Sequence, residues 1–180
     1  MKTSAKFSIA VVTLAIASLA GCSPSKSPDV TDPIRQSLNQ AGLKDVSVSQ
    51  DRDKGVVTLG GHVQSDSEKD QAESIAKSGA GGQVVADQIA VIPNGIESDA
   101  KAVNSDLDDG IEKNLDAALI QNNFKKTVKY DVKNGVVTLT GDVRSETARK
   151  NAAKVAAGVP NVKQVVNELQ VKDQKATSSN

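Results

Sequence analysis

Few residues of this chain have side chains that could act as a nucleophile or bind a metal. Cys22 is the only cysteine and His62 the only histidine among the 180 residues. One cysteine excludes a disulfide within the chain, and one histidine without a Cys/His cluster does not form a zinc site. The serines have no evident His/Asp partners, and the carboxylates lie scattered along polar faces. We therefore predict a protein that is not an enzyme, with no catalytic residue and no metal.

The segment before Cys22 predicts a chemical role for its thiol. Lysines at the start precede an uncharged run, residues 7–20, which ends in Leu19-Ala20-Gly21-Cys22. A positive start and a short apolar run are typical of a secretory signal peptide. The run has 14 residues, fewer than the about 20 that a membrane-spanning helix needs. The end of the run resembles the bacterial lipobox. That resemblance implies a lipoprotein signal peptide at 1–21, a diacylglycerol thioether on Cys22 and an acyl chain on its amine, with no other cofactor.

The residues after the cysteine predict a tether and a location. Ser23 follows Cys22. In this respect the chain resembles lipoproteins that are sorted to the outer membrane by default. Residues 22–30 are rich in Ser and Pro and lack periodicity, so we expect a flexible tether. Each buried CH₂ of an acyl chain contributes about 0.8 kcal/mol, and more than one chain makes anchoring stable. We expect a lipid-anchored protein of the cell envelope, on the outer membrane and facing the periplasm.

A short motif that occurs twice organises the rest of the chain. Residues 55–63 read Gly-Val-Val-Thr-Leu-Gly-Gly-His-Val, and residues 135–143 read Gly-Val-Val-Thr-Leu-Thr-Gly-Asp-Val. The alternation of apolar residues in each copy predicts a strand with one buried face. Two copies do not make a solenoid, which needs three or more. We therefore predict two globular units.

The first unit, residues 31–92, has the element order α-β-β-α-β. Asp32 followed by Pro33 predicts the cap and first position of a helix, and Gly42 can end that helix in a left-handed conformation. The remaining signals are two hairpin strands that end at Val63, a capping box at Ser65 and Glu68, and a last strand over residues 84–92.

The second unit, residues 105–172, repeats this order after a predicted linker at 93–104. Asn134-Gly135 is a strong hairpin signal because both turn residues must take positive φ. Residues 173–180 are polar and predicted to be a disordered tail. The other signals are a helix capped by Ser105 or Asp106, its apolar stripe Leu107, Ile111, Leu115 and Leu119, a cap at Ser145, and a closing strand over 162–171.

Both units resemble the BON domain, a family of bacterial osmotically inducible and nodulation proteins. The family motif Gly-x-Val-x-Leu-x-Gly-x-Val is present in residues 55–63 and 135–143, and the first unit departs from the family pattern at residues 79–82. The resemblance implies an α+β fold of two αββαβ domains, each a small three-stranded mixed sheet covered by two helices. It also implies a non-enzymatic envelope role: phospholipid contact and support of membrane integrity or osmotic-stress tolerance.

The charge of the two units differs in sign. Residues 31–92 hold more Asp and Glu than Lys and Arg, and residues 105–172 hold the reverse. Each basic residue near an anionic bilayer contributes about 1 kcal/mol, so anionic phospholipid is a candidate partner. The residues expected to contact lipid headgroups are Lys125, Lys126, Lys129, Lys133, Arg144, Arg149, Lys150 and Lys154.

Two alternatives to lipid contact stay open at this stage. The basic residues could form only a solvated face, and the units could be an adaptor or scaffold that binds an envelope protein through an exposed strand edge. A small-ligand or ion sensor between the units is a weaker possibility. Aromatic residues make up 2% of the chain, which leaves few stacking platforms for nucleic acid, and we predict no nucleic-acid partner.

Overall fold

The computed structural model of the chain describes residues 26–95 and 97–172, which form two units of the same architecture. The elements of the first unit are α1 (Thr31–Gln40), β1 (Val46–Asp51), β2 (Val56–Val63), α2 (Asp66–Gly79), β3 (Val84–Asp87) and β4 (Ala90–Val91). Those of the second are α3 (Glu97–Gln121), β5 (Val128–Lys133), β6 (Val136–Val143), α4 (Glu146–Ala157), β7 (Gln164–Asn167) and β8 (Gln170–Val171).

Each unit contains one mixed sheet built around the strand that carries the repeated motif. In the first unit, β2 pairs antiparallel with β1 and parallel with β3 and β4. The second unit repeats this arrangement around β6. The predicted αββαβ units with a sheet three strands wide are confirmed. The closing strand is divided into two parts in both units. At the break, a side chain accepts the backbone amide that would otherwise donate to the neighbouring strand: Asp87 Oδ1 accepts from the Ile89 amide at 3.1 Å, and Asn167 Oδ1 accepts from the Leu169 amide at 3.2 Å.

The helices cover one face of each sheet and bury the predicted apolar side of the motif. Val57 and Leu59 are fully buried, as are their counterparts Val137 and Leu139. Alanines on the inner sides of α2 and α4 let these helices approach the sheets closely, and burying one Leu or Val side chain stabilises the fold by roughly 1.5–3 kcal/mol. The alanines are Ala72, Ala76, Ala152 and Ala156, each 0% exposed.

The second glycine of each motif is required by the backbone. Gly61 and Gly141 have φ of 89° and 114°, a region that side chains with a Cβ rarely adopt. A Cβ at Gly141 would overlap the carbonyl oxygen of Thr127, and one at Gly61 would overlap that of Asp45. This close approach of the neighbouring strand explains why Gly is kept in both copies while the flanking residues differ.

The predicted serine caps after the two motif copies and the predicted turn before the second copy are present. Ser65 Oγ accepts from the Glu68 amide at 3.3 Å, and Ser145 Oγ accepts from the Ala148 amide at 3.1 Å. Asn134 and Gly135 take φ of 51° and 83°, as a tight hairpin turn requires. Local sequence signals are therefore sufficient for these boundaries.

Two helices begin earlier than predicted. Helix α1 starts at Thr31, so Asp32 lies inside its first turn and is not the cap; Asp29 Oδ1 instead accepts from the Thr31 amide at 3.1 Å. Helix α3 starts at Glu97, so the prediction of a start at Ser105 or Asp106 is wrong. No Pro or Gly interrupts residues 97–104, and most of the predicted linker at 93–104 extends α3. Cys22 and the tail at 173–180 lie outside the described residues.

Candidate functional site

The two units pack on each other through the sheet faces that the helices leave open. Val56 and Ala86 of the first unit form a buried cluster with Val136 and Val166 of the second. Within each unit these residues occupy the same two positions of the repeat, so the same patch is used on both sides. A self-complementary patch of this kind is the property of a two-fold interface. The chain therefore contains an internal pseudo-two-fold arrangement.

Polar contacts around this cluster are reciprocal in the same way. Lys54 Nζ lies 2.5 Å from Glu168 Oε2, and Asn134 Nδ2 donates to the Gln88 carbonyl at 2.7 Å. Lys54 and Asn134 are equivalent turn residues, and Gln88 and Glu168 are the equivalent residues that follow β3 and β7. The hairpin turn of each unit therefore lies beside the end of β3 or β7 of the other unit, and these two strands run in opposite directions.

Gln164 gives this interface a contact that the pseudo-symmetry does not repeat. Its Oε1 accepts from the Asp87 amide at 3.0 Å, and its Nε2 donates to the Val85 carbonyl at 2.7 Å. Strand β3 is the edge of its sheet, and the side-chain amide pairs with it as a neighbouring strand would. Its counterpart in the first unit is Val84, which is 49% exposed. One edge is thus covered by a side chain, which reduces its tendency to pair with other chains.

Residues 26–30, predicted to be part of a flexible tether, are bound to the first unit. The Ser27 amide donates to the Arg52 carbonyl and Arg52 Nε donates to the Ser27 carbonyl, both at 2.8 Å. The Pro28 carbonyl accepts from Gln50 Nε2 at 2.8 Å and from Gln83 Nε2 at 3.2 Å. In the structure, side chains far along the chain satisfy backbone groups of this segment, so residues 26–30 contact the first unit, and the flexibility of the tether stays a prediction.

Two of the eight predicted lipid-contact residues have partners within the second unit. Lys125 is paired with Asp116, and its Nζ lies 5.3 Å from the centre of the Tyr130 ring. Arg149 is half-buried, donates to the Asn167 carbonyl at 3.2 Å and forms an ion pair with Glu146 at 3.7 Å. Lys125 and Arg149 are therefore engaged largely in contacts within the second unit.

The other six are exposed and form no ion pair with any described residue. They do not form one patch. Lys126, Lys129 and Arg144 lie where β5 begins and β6 ends, and Lys126 and Arg144 line one cavity of about 320 Å³. Lys133 lies at the opposite, hairpin end, opposite Val136. Lys150 and Lys154 follow the exposed side of α4.

The titratable groups that the fold perturbs have structural roles. Burial raises the pKa of Asp87 above its usual range, although the Ile89 amide and Lys69, whose Nζ lies 3.7 Å from the carboxylate, oppose that shift. The equivalent residue in the second unit is Asn167, which makes the same turn without a charge. His62 is exposed at the end of β2. Among the described residues, no three His, Cys, Asp or Glu side chains come together to hold a metal, and no helix has the length and apolar character to cross a membrane.

The comparisons with known proteins agree with this architecture. The BON domain family matches residues 26–93 and 107–173. The osmotically-inducible protein Y of Escherichia coli (strain K12) is 30% identical over 146 residues, which cover 79% of this chain and 71% of that protein. Neither comparison indicates an enzymatic family.

Solved structures add a distant likeness. The C-terminal domain of CdsD, a structural protein of the Type III secretion system of Chlamydia trachomatis, is 14% identical, with a TM-score of 0.33 over 79% of this chain and 67% of that one. A second structure of CdsD is also 14% identical with a TM-score of 0.33, and the match covers 78% of this chain and 63% of that chain. Likenesses this weak carry no functional information. The repeated motif, the two αββαβ units and the family matches together show that the chain belongs to the BON-domain family.

Proposed function

We propose that this protein is a non-enzymatic lipoprotein that is anchored through acylated Cys22, faces the periplasm and supports the envelope under osmotic stress by contacting anionic phospholipid. The lipobox-like Leu19-Ala20-Gly21-Cys22 supports the anchor, and the similarity to an osmotically inducible protein supports the physiological setting. The lipid contact depends on one observation. The second unit exposes basic side chains that have no acidic partner among the described residues.

The contact is expected to be weak and electrostatic. The chain has no Trp, the residue that with Tyr anchors proteins in the headgroup region. Each exposed Lys or Arg near an anionic surface contributes about 1 kcal/mol, fading within a Debye length. The acyl chains make such a contact effective by raising the local concentration of lipid headgroups.

The anchor is tested by fractionation with metabolic acyl labelling of the wild type and of Cys22→Ala. We expect the wild type to carry label and to sediment with outer membranes, and the variant to be soluble and unlabelled. A soluble, unlabelled wild type would remove the anchor from the proposal.

The lipid contact is tested by co-sedimentation of the chain lacking its first 22 residues with vesicles. Both units are kept because they share a buried interface. We expect binding to phosphatidylglycerol or cardiolipin vesicles that weakens with salt, and none to neutral phosphatidylcholine. The double variant Lys126→Gln/Lys129→Gln loses about 2 kcal/mol of attraction and should bind about thirtyfold more weakly. The control Lys44→Gln/Lys77→Gln, with the same charge change in the first unit, should bind as the wild type does. Equal binding to neutral and anionic vesicles contradicts the contact.

A groove favours protein binding as the second candidate function. It lies between α3 and α4, has a volume of about 760 Å³, and combines apolar Phe124, Val155 and Pro160 with side-chain amides such as Asn114 and Gln121. Such a mixture is common in protein interfaces. A pull-down from envelopes that lack the protein, with Asn114→Arg as the control bait, tests this alternative. Stoichiometric recovery of one envelope protein by the wild type alone, without vesicle binding, would favour the adaptor.

A further inference from the structure

The bound tether places the attachment point of the molecule at one end. Ser27 and Pro28 are held by Arg52, Gln50 and Gln83, at the turn between β1 and β2 and the start of β3. Lys26 also lies 3.2 Å from Asp53 in that turn. The first bound residue is thus four positions after Cys22, and four residues span at most about 14 Å.

We propose that the docked tether fixes the orientation of the protein on the membrane, so that one defined end faces the anionic headgroups. We call it the tether end, and it comprises residues 26–28, the turn at residues 52–55, and Lys126, Lys129 and Arg144 of the second unit. This inference rests on the proposed acylation of Cys22. The orientation of the protein decides which of its exposed basic side chains contact lipid headgroups.

The pseudo-two-fold interface brings the second unit's basic residues to this end. Lys54 in the first unit's turn contacts Glu168, which follows β7. Because β7 and β8 run parallel to β6, the end of β6 lies at the same side. Lys129 pairs there with Thr140, and Arg144 directly follows β6. The hairpin end, at Val136, lies about 25 Å from Arg144 along the eight-residue strand β6, and Lys133 lies about 13 Å from Lys129 along β5.

The charges at the tether end fit an anionic surface. The acidic residues near this end have basic partners: Asp53 pairs with Lys26 at 3.2 Å, Asp142 pairs with Lys172 at 3.6 Å, and Asp51 and Glu168 share Lys54, at 3.5 and 2.5 Å, which leaves one carboxylate without a partner of its own. The basic side chains that have no ion pair with a described residue at this end are Arg52, Lys126, Lys129 and Arg144. Unpaired positive charge facing the membrane would hold the end that the tether delivers.

Two exposed positions on α4 form a matched pair of reporters. Thr147 lies in the first turn of the helix, beside Arg144, and Ala157 is its last residue. Acylation blocks the thiol of Cys22, the only cysteine, so Thr147→Cys or Ala157→Cys can be labelled with a fluorophore selectively. The acylated proteins are placed in phosphatidylglycerol vesicles that contain a headgroup spin label as the quencher. Because ten residues of helix span about 15 Å, we expect the Thr147→Cys label to be quenched at least about twofold more strongly.

Release of the tether is the second arm. In Gln50→Ala/Arg52→Lys/Gln83→Ala, the segment loses the amide donors of Gln50 and Gln83 and the guanidinium donor of Arg52, while the positive charge at residue 52 and the acyl anchor are kept. We expect the quenching ratio to approach one, with circular dichroism unchanged. An acylated wild type with equal quenching at both labels, or a released variant that keeps the wild-type ratio, overturns the orientation and leaves the proposed function standing. An unacylated wild type overturns both.

Discussion

Replacement of Gln164 by Val tests whether the domain interface contributes to stability. The change converts the residue to its counterpart in the first unit, Val84. It removes the bonds of 3.0 Å to the Asp87 amide and 2.7 Å to the Val85 carbonyl. A hydrogen bond contributes about 0.5–1.5 kcal/mol net, and a buried group left without a partner costs about 1–3 kcal/mol. We therefore expect a loss of roughly 1–3 kcal/mol in the free energy of unfolding.

Urea unfolding of the chain lacking its first 22 residues, followed by circular dichroism, measures this loss. With a typical slope of about 1–3 kcal/mol per molar urea, the midpoint should fall by on the order of 1 M. The control is Val84→Gln, which places the same amide at the exposed equivalent position and should change stability little. A Gln164→Val variant within about 0.5 kcal/mol of the wild type, the range of an ordinary surface change, would refute the role of the amide.

The remaining predictions concern single positions within the units. Gly141→Ala should lower the melting temperature strongly, because the new Cβ would overlap the Thr127 carbonyl and the backbone φ there is 114°. The control Gly110→Ala lies in helix α3, where a Cβ would meet nothing within 4 Å, and it should stabilise the protein by up to about 1 kcal/mol. Equal melting temperatures of the two variants would contradict this prediction. Asp87→Asn, which copies Asn167, should gain stability over the wild type as pH rises above 3.8, the usual pKa of Asp. Burial raises the folded-state pKa of Asp87, so the unfolded chain ionises first and wild-type stability falls with rising pH. Melting temperatures of both proteins from pH 3 to pH 7 measure this, and a variant that loses stability relative to the wild type over that range would contradict it.

The interface changes how the repeat functions in this chain. Val56 and Val136 are buried on the sheet faces that the helices do not cover, where they form the interface between the units. The next residues, Val57 and Val137, are buried in the cores of their own units. A unit studied alone would expose this patch and the edge of β3. Experiments on either unit in isolation would therefore test a different surface from that of the intact chain.

The sequence by itself determined the elements and their order. Period-two alternation in residues 55–63 and 135–143, the serine caps at Ser65 and Ser145, and the Asn134-Gly135 turn act over a few residues, so their physical causes can be read locally. The glycines Gly61 and Gly141 were visible as a repeated feature. The reason for them is the carbonyl of the residue that directly precedes the neighbouring strand, Asp45 or Thr127, which only the fold shows.

Only the tertiary structure decided how the units, the tether and the basic residues are placed. Ser27 and Pro28 read as flexible because their partners, Arg52, Gln50 and Gln83, lie 22 to 55 residues away. The basic residues of the second unit are close in sequence, yet a strand and a helix that cross the unit carry them to opposite ends. Contacts between distant residues depend on how the two sheets pack, and local pattern carries no information about that packing.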